Sequence, residues 1–201
     1  VVTTVADVSP DMLAQWRAKA NELGIAADTF EGDIDDFLLR DEREWDLIVF
    51  SSALHHLDDY IEVVGLAAER LAPGGVIVTV LDPTRTGEAI TPRLRRFDYL
   101  LSLALHPHAF LAALGRRTRR RDEGGVNVGD IAEKHVLEGV DDAAVIRRLE
   151  QSGLEVVEHR RYVDQRYRLT EWLMRLMKLS TTFHLIARKR QASPPTSTVS
   201  E

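Results

Sequence analysis

Trp45-Asp46-Leu47-Ile48-Val49-Phe50-Ser51-Ser52-Ala53-Leu54-His55-His56-Leu57 is the stretch on which the reading of this chain turns. Trp45 to Phe50 is an almost continuous apolar run, the pattern of a parallel strand covered on both faces, and that predicts a place near the centre of a sheet. Ser51 to His56 then lies where the strand has ended and the next helix has not begun. Ligands of open α/β sheets collect at the carboxyl ends of strands, so this loop is expected to face the reacting centre of any site the chain carries.

The neighbouring segments extend the same alternation. Downstream, Asp58 and Asp59 cap a helix carrying Ile61, Val64, Ala67, Ala68 and Leu71, and the turn Pro73-Gly74-Gly75 leads into a strand over Val76 to Leu81. Upstream, Val1 to Val8 reads as a strand running into a helix, with Ser9 as N-cap, Pro10 in the first turn and Asp11 at the positive helix end. Apolar residues at Leu13, Trp16, Ala20 and Leu23 keep the helical period, and Gly24 stops it. Ala26 to Glu31 reads as a second strand, followed by Gly32, Asp33 and a short acidic helix around Asp36 to Arg40. Strands alternating with helices of this length predict parallel pairing through right-handed crossovers.

Further along, Asp141 to Gln151 reads as a helix, Leu154 to Tyr162 as a strand, Leu169 to Leu179 as a helical patch and Phe183 to Ala187 as a last strand. The Ser, Thr and Pro tail from Gln191 shows no apolar period and is expected to be disordered, so residues 191–201 stand apart from a domain over 1–190. Between the strands lies an insert of about residues 84–138 whose character differs. Arg85 to Arg121 holds nine arginines with Glu88 and Asp98 as its acids, around an apolar helical stretch from Phe97 to Leu114.

Composition removes several classes. With 201 residues the chain has room for one domain of good size, and 44% hydrophobic with 29% charged residues is the balance of a globular core. Zero cysteines exclude disulfides, thiolate metal sites and cysteine nucleophiles. The net charge of −6 argues against a general nucleic-acid binder, because phosphate backbones reward a basic surface. No apolar run reaches the length of a bilayer span, and the expected location is the cytoplasm. His106 and His108 bracket Pro107 without an acid or cysteine at ligand spacing, so no metal is expected.

Four segments, in order, carry a resemblance: Ala6-Asp7-Val8-Ser9-Pro10-Asp11-Met12-Leu13, then Glu31-Gly32-Asp33, then Asp46 to Leu57, then Leu71-Ala72-Pro73-Gly74-Gly75. Together they resemble the class I S-adenosylmethionine-dependent methyltransferases of the small-molecule type. The resemblance implies an α/β, Rossmann-like three-layer fold with a mainly parallel sheet and an antiparallel last strand. It implies S-adenosyl-L-methionine as cofactor and a small-molecule acceptor as partner.

The likeness also implies roles, residue by residue. Asp7 would accept the ribose hydroxyls, Val8 would pack on the adenine face, Asp33 would receive the adenine amino group and Ile34 would offer its amide to the ring. The Ser51 backbone would lie beside the methionine portion. His55 and His56 would look towards the acceptor pocket, His56 being the candidate proton acceptor and His55 a candidate acceptor contact. The residues alone leave each of these open: Asp7 reads equally as a turn residue, Asp33 as a solvated acid, and either histidine as a packed loop residue. The insert would build a lid with Phe97 and Tyr99 in its apolar wall, and Tyr162 would close the pocket from the far side.

One departure from the family pattern shapes the expectation. The apolar strand and glycine-rich turn that the family places before Asp7 do not occur, and no GxG is found in the chain. The fold expected is therefore this one without its first strand and helix, on the scale of about 40 residues or one βα unit. A gap is expected between the strand ending at Asp7 and the one ending at Ser51, with unpaired backbone on both sides. The arginine run Arg116 to Arg121 reads first as a solvated helix end, and otherwise as an anion anchor or a membrane or nucleic-acid contact. Two other functions stay in view: a noncatalytic binding module of the same fold, and a nicotinamide-dependent oxidoreductase, which also places an acid after its second strand.

Overall fold

The structure is a computed structural model, and it describes residues 2–87, 89–90, 93, 96–97, 139–163 and 168–191. The lid expected over 84–138, with Tyr99, both proline-flanking histidines and the arginine run, lies for the most part outside the described residues, as does nearly all of the tail.

The first unit is β1 (Val2–Asp7), α1 (Pro10–Leu23) and β2 (Ala26–Glu31), with β1 and β2 parallel in the register Asp7↔Glu31. Local chemistry accounts for the helix. The Ser9 hydroxyl accepts from the Met12 amide, Pro10 opens the first turn, and Gly24 ends the helix at φ 66°, a conformation that costs glycine nothing.

Next come α2 (Ile34–Arg40), β3 (Trp45–Ser51), a 3₁₀ turn (Leu54–His56), α3 (Tyr60–Glu69) and β4 (Leu71–Pro83). The last third holds α4 (Asp142–Gln151), β5 (Leu154–Tyr162), α5 (Arg168–Leu176) and β6 (Thr182–Lys189). β3 pairs with β4 in parallel, and β6 runs antiparallel between β4 and β5, giving a four-stranded sheet in the order β3-β4-β6-β5. The expected antiparallel last strand is there. The Pro73-Gly74-Gly75 turn is folded into β4, where the register jumps from Trp45↔Leu71 to Leu47↔Val76. A Cβ on Gly75 would meet the Trp45 carbonyl oxygen at 2.8 Å, so glycine permits this close approach.

The core lies on one face of that sheet. Phe50, Ile77, Phe183, Leu185 and Ala187 pack against Val64 and Ala68 of α3 and against Val145 and Leu149 of α4. Tyr60 ties the two helices together, its hydroxyl accepting from the Asp141 amide at 3.1 Å.

The gap expected between the strand ending at Asp7 and the one ending at Ser51 is there among the described residues, and with it β3 departs from the central place that its apolar run predicts. Among the described residues it pairs with β4 alone and β1 with β2 alone, so β3 is an edge rather than a centre. Its second face is also open, with Leu47 55% and Val49 53% exposed. The apolar run predicts burial on both sides, and the described residues cover one of them. The β1–β2 layer and the larger sheet are joined through α2: the Phe37 ring lies 5.2 Å from Phe30 and 6.1 Å from Trp45, and Arg70 Nε donates to the Leu38 carbonyl at 2.9 Å.

Candidate functional site

Parallel pairing sets the carboxyl ends of the strands side by side within each sheet. Asp7 lies across from Glu31, and the Gly32 amide donates to the Asp7 carbonyl at 3.2 Å. Ser51 lies across from Val80 and the Ser52 amide donates to the Val80 carbonyl at 2.8 Å, which draws the loop after β3 over the end of β4.

The acids behave differently at the two strand ends. Asp7 Oδ1 accepts from the Ser9 amide at 2.7 Å, a local turn that orients the carboxylate while engaging one of its oxygens. Both turn residue and ligand contact are compatible with that geometry. Asp33 occupies the N-cap position of α2 but makes no side-chain cap hydrogen bond, and it is exposed. Val8 is exposed and Ile34 is half-buried at the first position of α2. A carboxylate whose oxygens are not all committed, beside an exposed apolar residue and a helix-start amide, is a donor–acceptor set that suits a nucleoside.

The loop after β3 gathers most of the chemistry. Ser51 is exposed, and Ser52 takes a positive φ of 52° to turn the chain. Leu54 is buried in the core and anchors the 3₁₀ turn that presents His55 and His56, whose rings lie 3.9 Å apart. His56 is exposed, whereas the His55 side chain is mostly covered. Beneath His55 is Asp82, fully buried near the end of β4. Its Oδ1 accepts from the His55 amide at 3.2 Å and pairs with His55 Nδ1 at 2.9 Å.

Asp82 is the residue that sequence reading passes over. The signal was present, since an acid at the end of an apolar strand is the argument that picks out Asp7. The β-bulge that turns it inward cannot be read from the chain. Alternation buries Ile77 and Thr79, and Leu81, at φ 65°, then adds an extra residue opposite β6, so that Val80 faces His184 and Asp82 faces Phe183. The carboxylate thereby joins the core face.

The remaining candidates lie apart from this dyad. The Tyr162 ring is 5.8 Å from that of His184, on β5 and β6, and by strand alternation His184 points to the face opposite Phe183 and Asp82. Phe97 is exposed at the limit of the described residues. Away from all of these, a cavity of about 450 Å³ opens between β2 and the segment that follows α2, lined among others by Thr4, Phe30, Phe37, Arg40 and Arg43. None of the strand-end acids lines it.

A second ionic centre has a structural character. Asp142, buried at the start of α4, accepts from Arg161 Nε at 2.6 Å and Nη2 at 2.7 Å and pairs with His159 Nε2 at 2.7 Å. Burial pushes its carboxyl up, and the hydrogen bonds from Arg161 and then His159 outweigh that, holding it below the usual carboxylate range. Among the described residues, no group of three or more His, Asp or Glu could hold a metal ion, and no helix is long and apolar enough to cross a membrane.

Comparison with known proteins adds three findings. Residues 2–77 match the sequence model of a family described as a methyltransferase domain. No curated protein matches the sequence. Solved structures do match, among them the N-methyltransferase NodS from Bradyrhizobium japonicum WM9 in complex with S-adenosyl-l-homocysteine, at 20% identity and TM-score 0.52, covering 92% of this chain and 65% of that one. PKMT2 from Rickettsia typhi in complex with AdoHcy matches at 10% identity and TM-score 0.57, over 99% of this chain and 50% of that one. An S-adenosylmethionine-dependent methyltransferase from Mesorhizobium loti matches at 15% identity and TM-score 0.54, over 94% and 90%. At such identities the likeness establishes the fold, and the chain spans about two thirds of the first structure and half of the second.

Proposed function

For a chain with the fold of the class I S-adenosylmethionine-dependent methyltransferases, whose residues 2–77 match the methyltransferase-domain family, we propose transfer of a methyl group from S-adenosyl-L-methionine to a small-molecule acceptor. The observation that carries this reading is the placement of Asp7, Asp33 and Ser51 at the carboxyl ends of β1, β2 and β3 or just beyond them. Two of the structures that share the fold were crystallised with the demethylated cofactor, which supports the choice of donor.

In this reading Asp7 holds the ribose hydroxyls, Val8 covers one adenine face, and Asp33 with the Ile34 amide meets the adenine edge. Ser51 borders the methionine portion. The bound cofactor supplies a methyl group already activated on a sulfonium. What falls to the chain is to orient the acceptor, exclude water and take up the acceptor's proton, and orientation alone can contribute several orders of magnitude. Phe97, Tyr99 and Tyr162 are the aromatic side chains assigned to the acceptor, with His55 and His56 at its reacting end.

A binding module without turnover is the second reading. The observation behind it is that, among the described residues, no strand joins β1 to β3, which interrupts the strand-end shelf on which the cofactor would lie. Calorimetry with S-adenosyl-L-homocysteine tests both. Saturable binding that is weakened at least tenfold, about 1.4 kcal/mol, by Asp7→Ala supports the assignment of the shelf. Binding of a nicotinamide cofactor in its place, or binding indifferent to Asp7 and Asp33, would overturn it. Methyl-labelled donor incubated with small phenols, carboxylates and amines then separates transfer from binding alone.

A further inference from the structure

We infer that His55 and Asp82 form a proton-accepting dyad in which Asp82 fixes the imidazole with its proton on Nδ1, leaving the Nε2 lone pair to take a proton from an acceptor hydroxyl or amine. The inference rests on the methyl-transfer reading for its acceptor and goes beyond it in naming the base and the residue that positions it.

The geometry supplies three supports. Asp82 is fully buried, and its Oδ1 grips His55 at two points, backbone amide and Nδ1, at 3.2 and 2.9 Å. A carboxylate only accepts, so a pairing of Nδ1 with one places the shared hydrogen on Nδ1 and leaves Nε2 as the basic nitrogen. The arrangement also requires an unfavourable backbone. Leu81, a γ-branched residue, is held at φ 65°, where non-glycine residues are uncommon, and that bulge is what turns the carboxylate inward under His55. Finally, Asp82 Oδ2 is buried without a hydrogen-bond partner among the described residues. Leaving a buried carboxyl oxygen unpaired is costly, and a purely structural bond to His55 would be served as well by asparagine.

The proton balance is simple. The acceptor's O–H or N–H bond breaks, its electron pair stays on the acceptor atom as the nucleophile, and the proton forms the new bond at His55 Nε2. The imidazolium so produced lies against the Asp82 carboxylate, which stabilises it. His56, the other candidate base, is exposed, with its ring tilted by 41° against that of His55, and is assigned no such role. His55 would be the catalytic residue and Asp82 the positioning one.

Two spectroscopic and chemical readouts test this on the full chain without a known acceptor. In ¹⁵N-histidine NMR, with His55 assigned by its loss in His55→Gln, the neutral ring is expected to show a protonated Nδ1 and a bare Nε2. With diethyl pyrocarbonate, mass spectrometry should find His55 acylated in the native chain, and the rate at His55 should fall several-fold in Asp82→Ala while that at His56 is unchanged. A histidine used only for packing gives the opposite sign, unreactive in the native chain and freed by Asp82→Ala. Asp82→Asn, which preserves shape, guards against loss of folding and is expected to slow His55 as well. A bare Nδ1, an unreactive native His55 or faster acylation in either variant would overturn the dyad. Calorimetry with S-adenosyl-L-homocysteine on the same proteins keeps the two proposals apart: its failure in the native chain refutes the methyl-transfer reading, whereas the dyad is decided by the NMR and acylation results.

Discussion

The β1–α1–β2 layer and the four-stranded sheet are built from similar residues but are packed very differently. In the larger sheet, alternate residues of β4 and β6 are fully buried under α3 and α4 in one continuous cluster. In the smaller layer no strand residue is fully buried, and Leu13 and Ala20 of α1 are the residues shielded from solvent. The acids assigned to the nucleoside sit on the weakly packed layer, while the His55–Asp82 dyad is anchored in the well-packed one. Local opening costs least where few apolar contacts are made, so the layer that would grip the cofactor is expected to be the one whose order depends most on having it bound.

The largest effect that could break this contrast is in the core. Phe183→Ala should lower global stability by about 3–5 kcal/mol in urea unfolding. Leu13→Ala, by comparison, should accelerate hydrogen exchange in β1 and β2 while leaving the slow amides of β4 and β6 protected. Equal acceleration in both sheets would show one cooperative unit and remove the distinction.

Asp142→Ala should cost about 2–4 kcal/mol, because it strips a buried acceptor from Arg161 and His159. The pH dependence has a definite sign. The folded carboxyl titrates below its unfolded value, so its stabilisation is complete above the ordinary carboxylate range near pH 4 and is lost as pH falls through the folded value. Acid unfolding followed by circular dichroism should therefore be less steep below about pH 4 in Asp142→Ala than in the native chain. The effect should register on the larger sheet alone.

Ligand addition sharpens the comparison from the other side. S-adenosyl-L-homocysteine at a hundredfold excess over its dissociation constant should raise the opening free energy of β1–β2 amides by about 2.7 kcal/mol, with little change in β5 and β6. The smallest expected effect is at the cap: Ser9→Ala should cost about 1 kcal/mol, seen in the exchange of α1 and β1–β2 amides rather than in the global transition.

Much of the fold was legible because much of it is local. Ser9, Pro10 and Gly24 mark both ends of α1, and β2 and β5 fall over the residues expected of them. The order of strand-end residues Asp7, Asp33 and Ser51 was legible for the same reason, since Asp7 and Ser51 close their strands and Asp33 lies two residues past its own. β3 shows where pattern reading overshoots. Its apolar run reports how both faces are meant to be covered, and the described residues cover one. Asp82 and the Asp142–Arg161–His159 cluster were not legible, because the first depends on a bulge set by the strand opposite and the second joins a helix start to β5 by tertiary packing.

Strand and helix periods, caps and the succession of acids after strands are properties of neighbouring residues, and the amino-acid sequence alone determined them. Which histidine meets a buried carboxylate, and through which ring nitrogen, was decided only in the tertiary structure. The physical reason is one extra residue at Leu81: a bulge is defined by the strand opposite, and by changing the side to which Asp82 points it turns a strand-end acid into the partner of His55.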